Sequence, residues 1–315
     1  MKYKHLFGPV NSRRLGISLG IDLVPYKYCP LNCVYCEVQS TTHLQTTREA
    51  FFPIQEILGE LDNFMQNRPH LDYITFSGAG EPTLNSSIKD IIQYIKTKYP
   101  EYKLALLTNG VLLTDDDLLT EILPCDLILP SLDAASQEVY EKVNRPKPGL
   151  KVEDQIQALV KLRQKYPGQI WLEVFIVPGI TDTESELNLL RKAIGKASPD
   201  LVQLNSLDRP GTEEWVKPAT TERLKEIKKY FAQELKMPIE IIAKIKHHPG
   251  STSLDEEIVH LIRGTISRRP STAEDLAAML DVHINEITKV LRELNTEGKL
   301  QAERKARGVF YSWKR

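Results

Sequence analysis

Cys29, Cys33 and Cys36 stand in the run Cys29-Pro30-Leu31-Asn32-Cys33-Val34-Tyr35-Cys36. Three thiolates so close together can hold three corners of an iron–sulfur cube, whereas stable cubes normally take four cysteines. A corner without a protein ligand leaves one iron free to bind another molecule, as an open zinc site leaves room for substrate. The spacing therefore points to chemistry at iron rather than to storage. A structural zinc knot or an electron-transfer ferredoxin site would need a fourth ligand. The remaining cysteine, Cys125 in Leu123-Pro124-Cys125-Asp126, precedes a predicted strand and falls at the rim opposite the triplet. A strand of five to six residues spans roughly 17–20 Å, too far for Cys125 to join, so it reads as a small buried hydrophobe.

The triplet needs a scaffold. Over the first ~240 residues short apolar runs alternate with amphipathic helices, the pattern of a parallel α/β sheet. Strands are predicted over 15–23, 73–76, 103–107, 126–129, 170–177 and 201–205. Between them Ile54, Ile57, Leu58, Leu61 and Met65 recur at helical spacing, as do Ile88, Ile91, Ile92 and Ile95. Thr181 followed by Glu184 predicts a capping-box start for the helix after the fifth strand. Such strand–helix units suit a doubly wound sheet or a partial (β/α)6 TIM-like barrel. In the first strand Gly16, Ser18, Gly20 and Asp22 alternate with Ile17, Leu19, Ile21 and Leu23, giving one small or polar face. A doubly wound sheet buries both faces and reads apolar throughout, so the alternation favours the barrel with a ligand-filled lumen. Glu173, Gln203 and Asn205 fit that reading, or are hydrogen-bonded strand ends. The triplet follows the first strand directly, at the end where parallel barrels place their sites.

Segment 244–253 reads as a linker, being basic, ending in Pro-Gly-Ser and lacking apolar periodicity. It divides the chain into 1–243 and 254–315. His247 and His248 invite a metal reading, but adjacent linker histidines are usually solvated. In the second part a helix is predicted from about Asp255 to Thr265. Ser271 with Glu274 predicts a second capping box, opening a helix with Leu276, Ala277 and Leu280. A third helix carries Ile284, Ile287, Val290, Leu291 and Leu294, and Gly298 ends it. Residues 300–313 read as a hairpin turning near Arg307-Gly308. Helix, helix–turn–helix, then hairpin resembles a winged-helix domain. Lys299, Arg304, Lys305 and Arg307 lie on or near the expected wing, beside Phe310, Tyr311 and Trp313. Such a wing can grip phosphates, but the third helix shows a mixed face, and winged helices also bind peptides or proteins or serve a structural role.

The formal net charge of −1 over 315 residues argues neither for nor against nucleic acid. No apolar run approaches the ~18 residues of a membrane span. Met1-Lys2-Tyr3-Lys4-His5 leads into Gly8-Pro9 without a signal-like stretch, so a cytoplasmic protein with no membrane partner is expected. Four cysteines do not make a disulfide scaffold in a chain of this length.

The CxxxCxxC triplet after the first strand, with Tyr35 before its last cysteine, resembles the signature of the radical S-adenosylmethionine (SAM) enzymes over most of the chain up to about residue 242. The stretch from Gly8-Pro9-Val10-Asn11 to Asp22 is similar to a narrower branch of iron–sulfur oxidoreductases related to the wybutosine-synthesis enzymes. Ser77-Gly78-Ala79-Gly80-Glu81-Pro82 looks like the motif whose backbone and acid hold the amino group of SAM. Glycines allow close backbone approach and a carboxylate suits an ammonium. Thr108-Asn109 and Ser131-Leu132-Asp133 are similar to polar positions near the SAM carboxylate and ribose, and are also what turns and helix caps look like. Val177-Pro178-Gly179 resembles a turn flanking the adenine. The resemblance implies a 4Fe-4S cluster on Cys29, Cys33, Cys36 and SAM. It also implies a low-potential donor such as flavodoxin or ferredoxin, and a 5′-deoxyadenosyl radical that takes hydrogen from a substrate in the lumen. Glu173 is the lumen candidate for substrate contact, or half of an ion pair inside the barrel. Arg13 and Arg14 can bind a phosphate or carboxylate, or be surface charge. No cysteine follows Cys125, which argues against a second protein-bound cluster. A regulatory or RNA-modifying iron–sulfur protein using the winged helix on nucleic acid is the alternative.

Overall fold

The computed structural model describes residues 3–242, 256–280, 282 and 284–314. The expected linker at 244–253, with His247 and His248, lies outside the described residues.

The chain opens with an antiparallel hairpin of β1 (Leu6–Ser12) and β2 (Gly16–Ile21). A two-residue pair, β3 (Tyr28–Cys29) with β4 (His43–Leu44), brackets the cysteine loop. Strands and helices then alternate: α1 (Ile54–Met65), β5 (Tyr73–Phe76), α2 (Ile88–Lys98), β6 (Lys103–Thr108), α3 (Asp116–Ile122), β7 (Leu127–Pro130), α4 (Gln137–Val143), α5 (Val152–Lys165), β8 (Gln169–Ile176), α6 (Glu184–Ala197), β9 (Leu201–Ser206), α7 (Thr221–Phe231) and β10 (Ile239–Ile241). The main sheet runs in the order β1-β2-β5-β6-β7-β8-β9-β10, parallel from β2 onward. It is an α/β fold with a parallel sheet, consistent with a partial barrel.

Helical spacing of isoleucine decides which face of each helix meets the sheet. Ile88, Ile91, Ile92 and Ile95 of α2 are all fully buried, as are Ile57 and Leu61 of α1. Each such side chain contributes about 1.5–3 kcal/mol before the cost of chain ordering. The edge strands are what the sequence pattern did not announce. β1 contains Gly8-Pro9 and a register shift between Phe7 and Val10, which breaks its alternation. β10 has only three residues. The alternation in β2 behaves as expected: Leu19 and Ile21 are buried among helices, while Ser18 hydrogen-bonds Thr75 at 3.2 Å on the other face.

The C-terminal unit comprises α8 (Glu256–Ile266), β11 (Ser271–Thr272), α9 (Ala273–Leu280), α10 (Ile284–Thr296), β12 (Leu300–Lys305) and β13 (Gly308–Trp313). Its sheet has the order β11-β13-β12, over a separate apolar cluster that includes Ile262, Leu276, Ile287, Val290 and Leu294. It rests on the first hairpin: the Arg268 guanidinium lies 4.6 Å from the Phe7 ring centre and its Nε lies 3.4 Å from Asp22.

Both expected capping boxes are displaced. The cap of α6 is Thr183, whose side chain accepts from Glu186 N, while Thr181 is buried and accepts from Val177 N at 2.8 Å. In the C-terminal unit the reciprocal pair is Thr272 with Asp275, each side chain accepting the other's backbone N–H at 3.1 Å, not Ser271 with Glu274. Adjacent Ser, Thr, Asp and Glu residues offer the same pattern in two registers, and the entry of the chain chooses between them. No helix among the described residues is long and apolar enough to cross a membrane.

Candidate functional site

The loop after β2 carries the triplet across the C-terminal ends of the strands. It is pinned by backbone bonds to the end of α4: Asn32 N donates to Asn144 O and Val34 N to Val143 O, both at 2.9 Å. Cys36 N donates to Cys33 O at 3.2 Å, which turns the last cysteine back toward the others. Cys29, Cys33 and Cys36 are free thiols and line one cleft of about 250 Å³. Among the described residues no three ligand-type side chains close on a single point as they would around one metal ion.

Each sulfur has its own nitrogen donor. Asn109 Nδ2 lies 3.4 Å from Cys29 Sγ, Asn144 Nδ2 3.4 Å from Cys33 Sγ, and Lys27 Nζ 3.0 Å from Cys36 Sγ. Burial pushes the Cys29 thiol up to about 12 despite Lys27, and drives Cys33 up as well, helped by Asp133. Burial alone would lower Lys27, but Cys36 and Cys29 hold it charged. Bare thiolates are therefore costly here, and a bound Lewis-acidic cluster would relieve that cost. The donor set fits a sulfur-ligated cluster, and hydrogen bonds to sulfur of this kind set its potential.

The remaining lining comes from the next strand ends. Gly80 sits where a Cβ would lie 2.2 Å from the Tyr28 carbonyl oxygen, so glycine is what lets this turn lie under the cysteine loop. At Gly78 a Cβ would meet the Asp22 carboxylate at 2.2 Å, and Ala79 N donates to that carboxylate at 3.1 Å. Glu81 is buried and takes four donors: Thr83 N (3.1 Å), Thr83 Oγ1 (2.6 Å), Thr108 Oγ1 (2.7 Å) and Asn109 N (2.7 Å). It clamps the loop after β5 to the loop after β6. Burial raises its pKa against these donors. Asp133 accepts from Tyr35 Oη, from Asn144 Nδ2 at 2.8 Å and from Phe175 N at 3.0 Å, and burial lifts it to about 6. The Tyr35 ring stacks on Phe175 with centroids 3.8 Å apart. Glu173 pairs with Arg14 and accepts from Asn205 Nδ2 at 3.3 Å.

All the expected site residues thus share one cleft: the three cysteines, Tyr35, Gly78, Ala79, Gly80, Glu81, Thr108, Asn109, Ser131, Asp133 and Glu173. The turn at Val177-Pro178-Gly179 is the exception. Val177 is buried in an apolar cluster with Val34 and Phe175, away from the lining. Lys27, Asn144 and Gln155 were missed. Lys27 had a signal, a cation two residues before the first cysteine of the triplet. Asn144 and Gln155 arrive from α4 and α5, and no local pattern marks them. Gln155 Nε2 ties Asn109 O (2.6 Å) to Ser131 O (3.0 Å), holding two strand-end loops together.

A family model described as the Radical SAM superfamily matches residues 23–190, more than half of the chain. The chain belongs to the radical SAM superfamily. It is 28% identical to a UPF0026 protein of Methanocaldococcus jannaschii over 97% of its own length and 94% of the relative. It is 32% identical to a protein named GTPase Obg from Brachyspira hyodysenteriae, covering 96% of this radical SAM chain but only 44% of that relative. Among solved structures, a radical SAM methyltransferase from Sphaerobacter thermophilus matches with a TM-score of 0.55 and 14% identity, over 71% of this chain and 65% of that one. At that identity the likeness speaks to the fold alone. Membership of the superfamily implies a 4Fe-4S cluster and SAM cleavage chemistry.

Proposed function

We propose that this radical SAM protein is an enzyme, an oxidoreductase in the broad sense, that holds a 4Fe-4S cluster on Cys29, Cys33 and Cys36 and binds SAM at the remaining iron. A cluster held there would supply one-electron reductive cleavage of SAM, the chemistry that would let hydrogen be taken from a substrate. Lys27, Asn109 and Asn144 orient the three sulfurs and stabilise their negative charge. Glu81 fixes the strand-end loops, and its Oε2, with one protein donor, has room for an ammonium. Asp133 and Tyr35 close the opposite wall. Glu173 holds Arg14 at the mouth of the lumen.

The C-terminal unit, from 254 to 315, is read as a winged helix, and the opening hairpin as that of the iron–sulfur oxidoreductase branch related to wybutosine synthesis. The reducing partner would be a low-potential donor such as flavodoxin or ferredoxin, in the cytoplasm.

The observation that carries this reading is the convergence of three free thiols, each with its own donor, with the loops of the next strands in a single cleft. The test is anaerobic reconstitution followed by dithionite and SAM. Accumulation of 5′-deoxyadenosine is expected. Zinc in anaerobically purified protein, or a cluster spectrum that SAM does not move, would overturn it.

A further inference from the structure

Beside the cofactor cleft lies a second cavity of about 230 Å³, walled by parts of the chain that are far apart in sequence. The first hairpin supplies Arg13 and Arg14, the loop after β9 supplies Arg209, and the segment after α8 supplies Arg268 and Arg269. Five arginines line it and no Asp or Glu does.

Four of the five are tied to carboxylates standing behind the wall. Arg13 pairs with Asp208 at 3.4 Å, Arg14 with Glu173, Arg209 with Glu37 at 3.1 Å, and Arg268 with Asp22 at 3.4 Å. Arg269 differs. Among the described residues it has no carboxylate within 4.0 Å, and its hydrogen bond runs from Nη2 to Met279 Sδ at 3.1 Å. Glu37 and Asp275 offset it only at longer range, and both are already engaged, Glu37 by Arg209 and Asp275 by Arg307 at 2.6 Å. The Nε atoms of Arg209 and Arg268 are buried and make no hydrogen bond, although each faces a carboxylate, Asp275 at 3.6 Å and Asp22 at 3.4 Å. Burial, with Arg209 and Arg13 nearby, holds Arg269 down at about 9. A cation in that position gains from an anion entering the cavity.

The chemistry of the walls selects the anion. A guanidinium fork matches two oxygens at once, and one carboxylate would satisfy one arginine. Several forks around a small space suit a tetrahedral group with three or more acceptor oxygens, which is a phosphoryl group. The cavity and the cofactor cleft share Arg14, Val38, Ser77, Gly78 and Leu107. A molecule anchored by its phosphate would therefore present its carbon skeleton to the cleft.

We propose that the arginine cavity is the phosphoryl subsite of the substrate, a small phosphorylated molecule, and that the C-terminal unit completes the active site by supplying Arg268 and Arg269. This rests on the reading that the neighbouring cleft holds SAM. It gives the appended unit a role in the wall of the active site, distinct from gripping a nucleic acid on its hairpin. There Lys299 and Lys305 pair with Glu297 and Glu303, and Arg307 turns inward to Asp275 and Asp208.

Isothermal titration of the anaerobically reconstituted full chain with inorganic phosphate tests it, with acetate as control and SAM titrated separately into the same preparation. Phosphate is expected to bind and acetate not. Arg269→Gln should weaken phosphate by about tenfold or more, the loss of a charge-assisted hydrogen bond, and Arg269→Lys should fall between. A thermal melt of each variant confirms that it is folded. SAM binding without phosphate binding, or phosphate binding indifferent to both Arg269 variants, overturns this proposal alone. Phosphate binding that depends on Arg269 in a protein that does not bind SAM removes the cofactor reading, and the substrate role of the cavity with it. A short single-stranded RNA that binds more tightly than phosphate through Arg269 would overturn the assignment to a small molecule.

Discussion

The cofactor cleft and the arginine cavity share a wall, yet one is electrostatically closed and the other open. In the cleft, Glu81 has four donors and Asp133 three, and each cysteine sulfur has its own nitrogen. In the cavity the cations outnumber what backs them, and Arg269 has no carboxylate beside it among the described residues. Dipoles fixed before the ligand arrives cost nothing to reorganise at the moment of reaction. Crowded like charges do the reverse: they are relieved when the ligand comes. On the proposed reading the cleft suits a constant cofactor, and the cavity is completed by the molecule it recognises.

The largest effect belongs to the cysteines. Cys33→Ala removes one of the three sulfurs and leaves Asn144 Nδ2 with Asp133 as its remaining partner. The variant should carry almost no iron after reconstitution and produce no 5′-deoxyadenosine, while the phosphate response of the arginine cavity survives. Iron analysis and product chromatography measure the first, and titration the second. A variant with full cluster content would break the contrast at its root, because the triplet would then not be the ligand set.

Glu81→Ala comes next. It strips the acceptor from four donors inside a buried turn. Leaving such groups unsatisfied costs about 1–3 kcal/mol, and the strand-end loops it clamps would loosen. Denaturant unfolding should show that loss, and equilibrium dialysis a SAM affinity weakened by roughly tenfold or more. Unchanged SAM affinity with the stability loss intact would make Glu81 a purely structural clamp.

The two sites also differ in how much of them the sequence disclosed. The cleft is made of short runs at the ends of successive strands, so CxxxCxxC, Gly78–Glu81, Thr108-Asn109 and Ser131–Asp133 could be read one strand at a time. The helix faces of α1 and α2 were legible for the same reason, since their periodicity is local. The arginine cavity has no such signature. Arg13 and Arg14 read more as surface charge than as a ligand site, and no local pattern marks Arg209, Arg268 or Arg269. Docking of α8 and α9 against β1 brings Arg268 and Arg269 to the arginines of the hairpin and of the loop after β9. Asn144 and Gln155 were invisible because their partners lie across the fold. Thr272 and Thr183 were missed as caps by one and two positions, where neighbouring residues carry the same chemistry.

Asp22 stands behind Gly78 of the shared wall and tests the border between the two. It accepts from Ala79 N on the cleft side and faces Arg268 on the cavity side. Burial raises it from 3.8 to about 6, against the opposing pull of Arg268. A carboxyl with a raised folded-state pKa binds its proton more tightly when folded. The contribution of Asp22 to stability therefore falls as pH rises from about 4 to about 6, by an amount of order 3 kcal/mol, and stays lower above that window. Asp22→Asn should lack this fall, so its stability relative to wild type should improve across the window. Denaturation midpoints measured at a series of pH values decide the matter. Parallel curves for the two proteins would show that Arg268 compensates Asp22 fully.

The smallest effect separates the two sites most cleanly. Thr272 and Asp275 cap α9 reciprocally, and Asp275 also takes both Nη atoms of Arg307 and faces Arg209 at 3.6 Å. Thr272→Ala removes the side-chain half of that cap, a loss of about 1 kcal/mol. The strain falls on the C-terminal unit and on the acid that steadies Arg209, but touches nothing in the lining of the cofactor cleft. Phosphate affinity should weaken by a few fold at most, with SAM affinity unmoved. Equal weakening of both would mean that the C-terminal unit supports the cleft as a whole, and that the cavity is not a separately completed part of it.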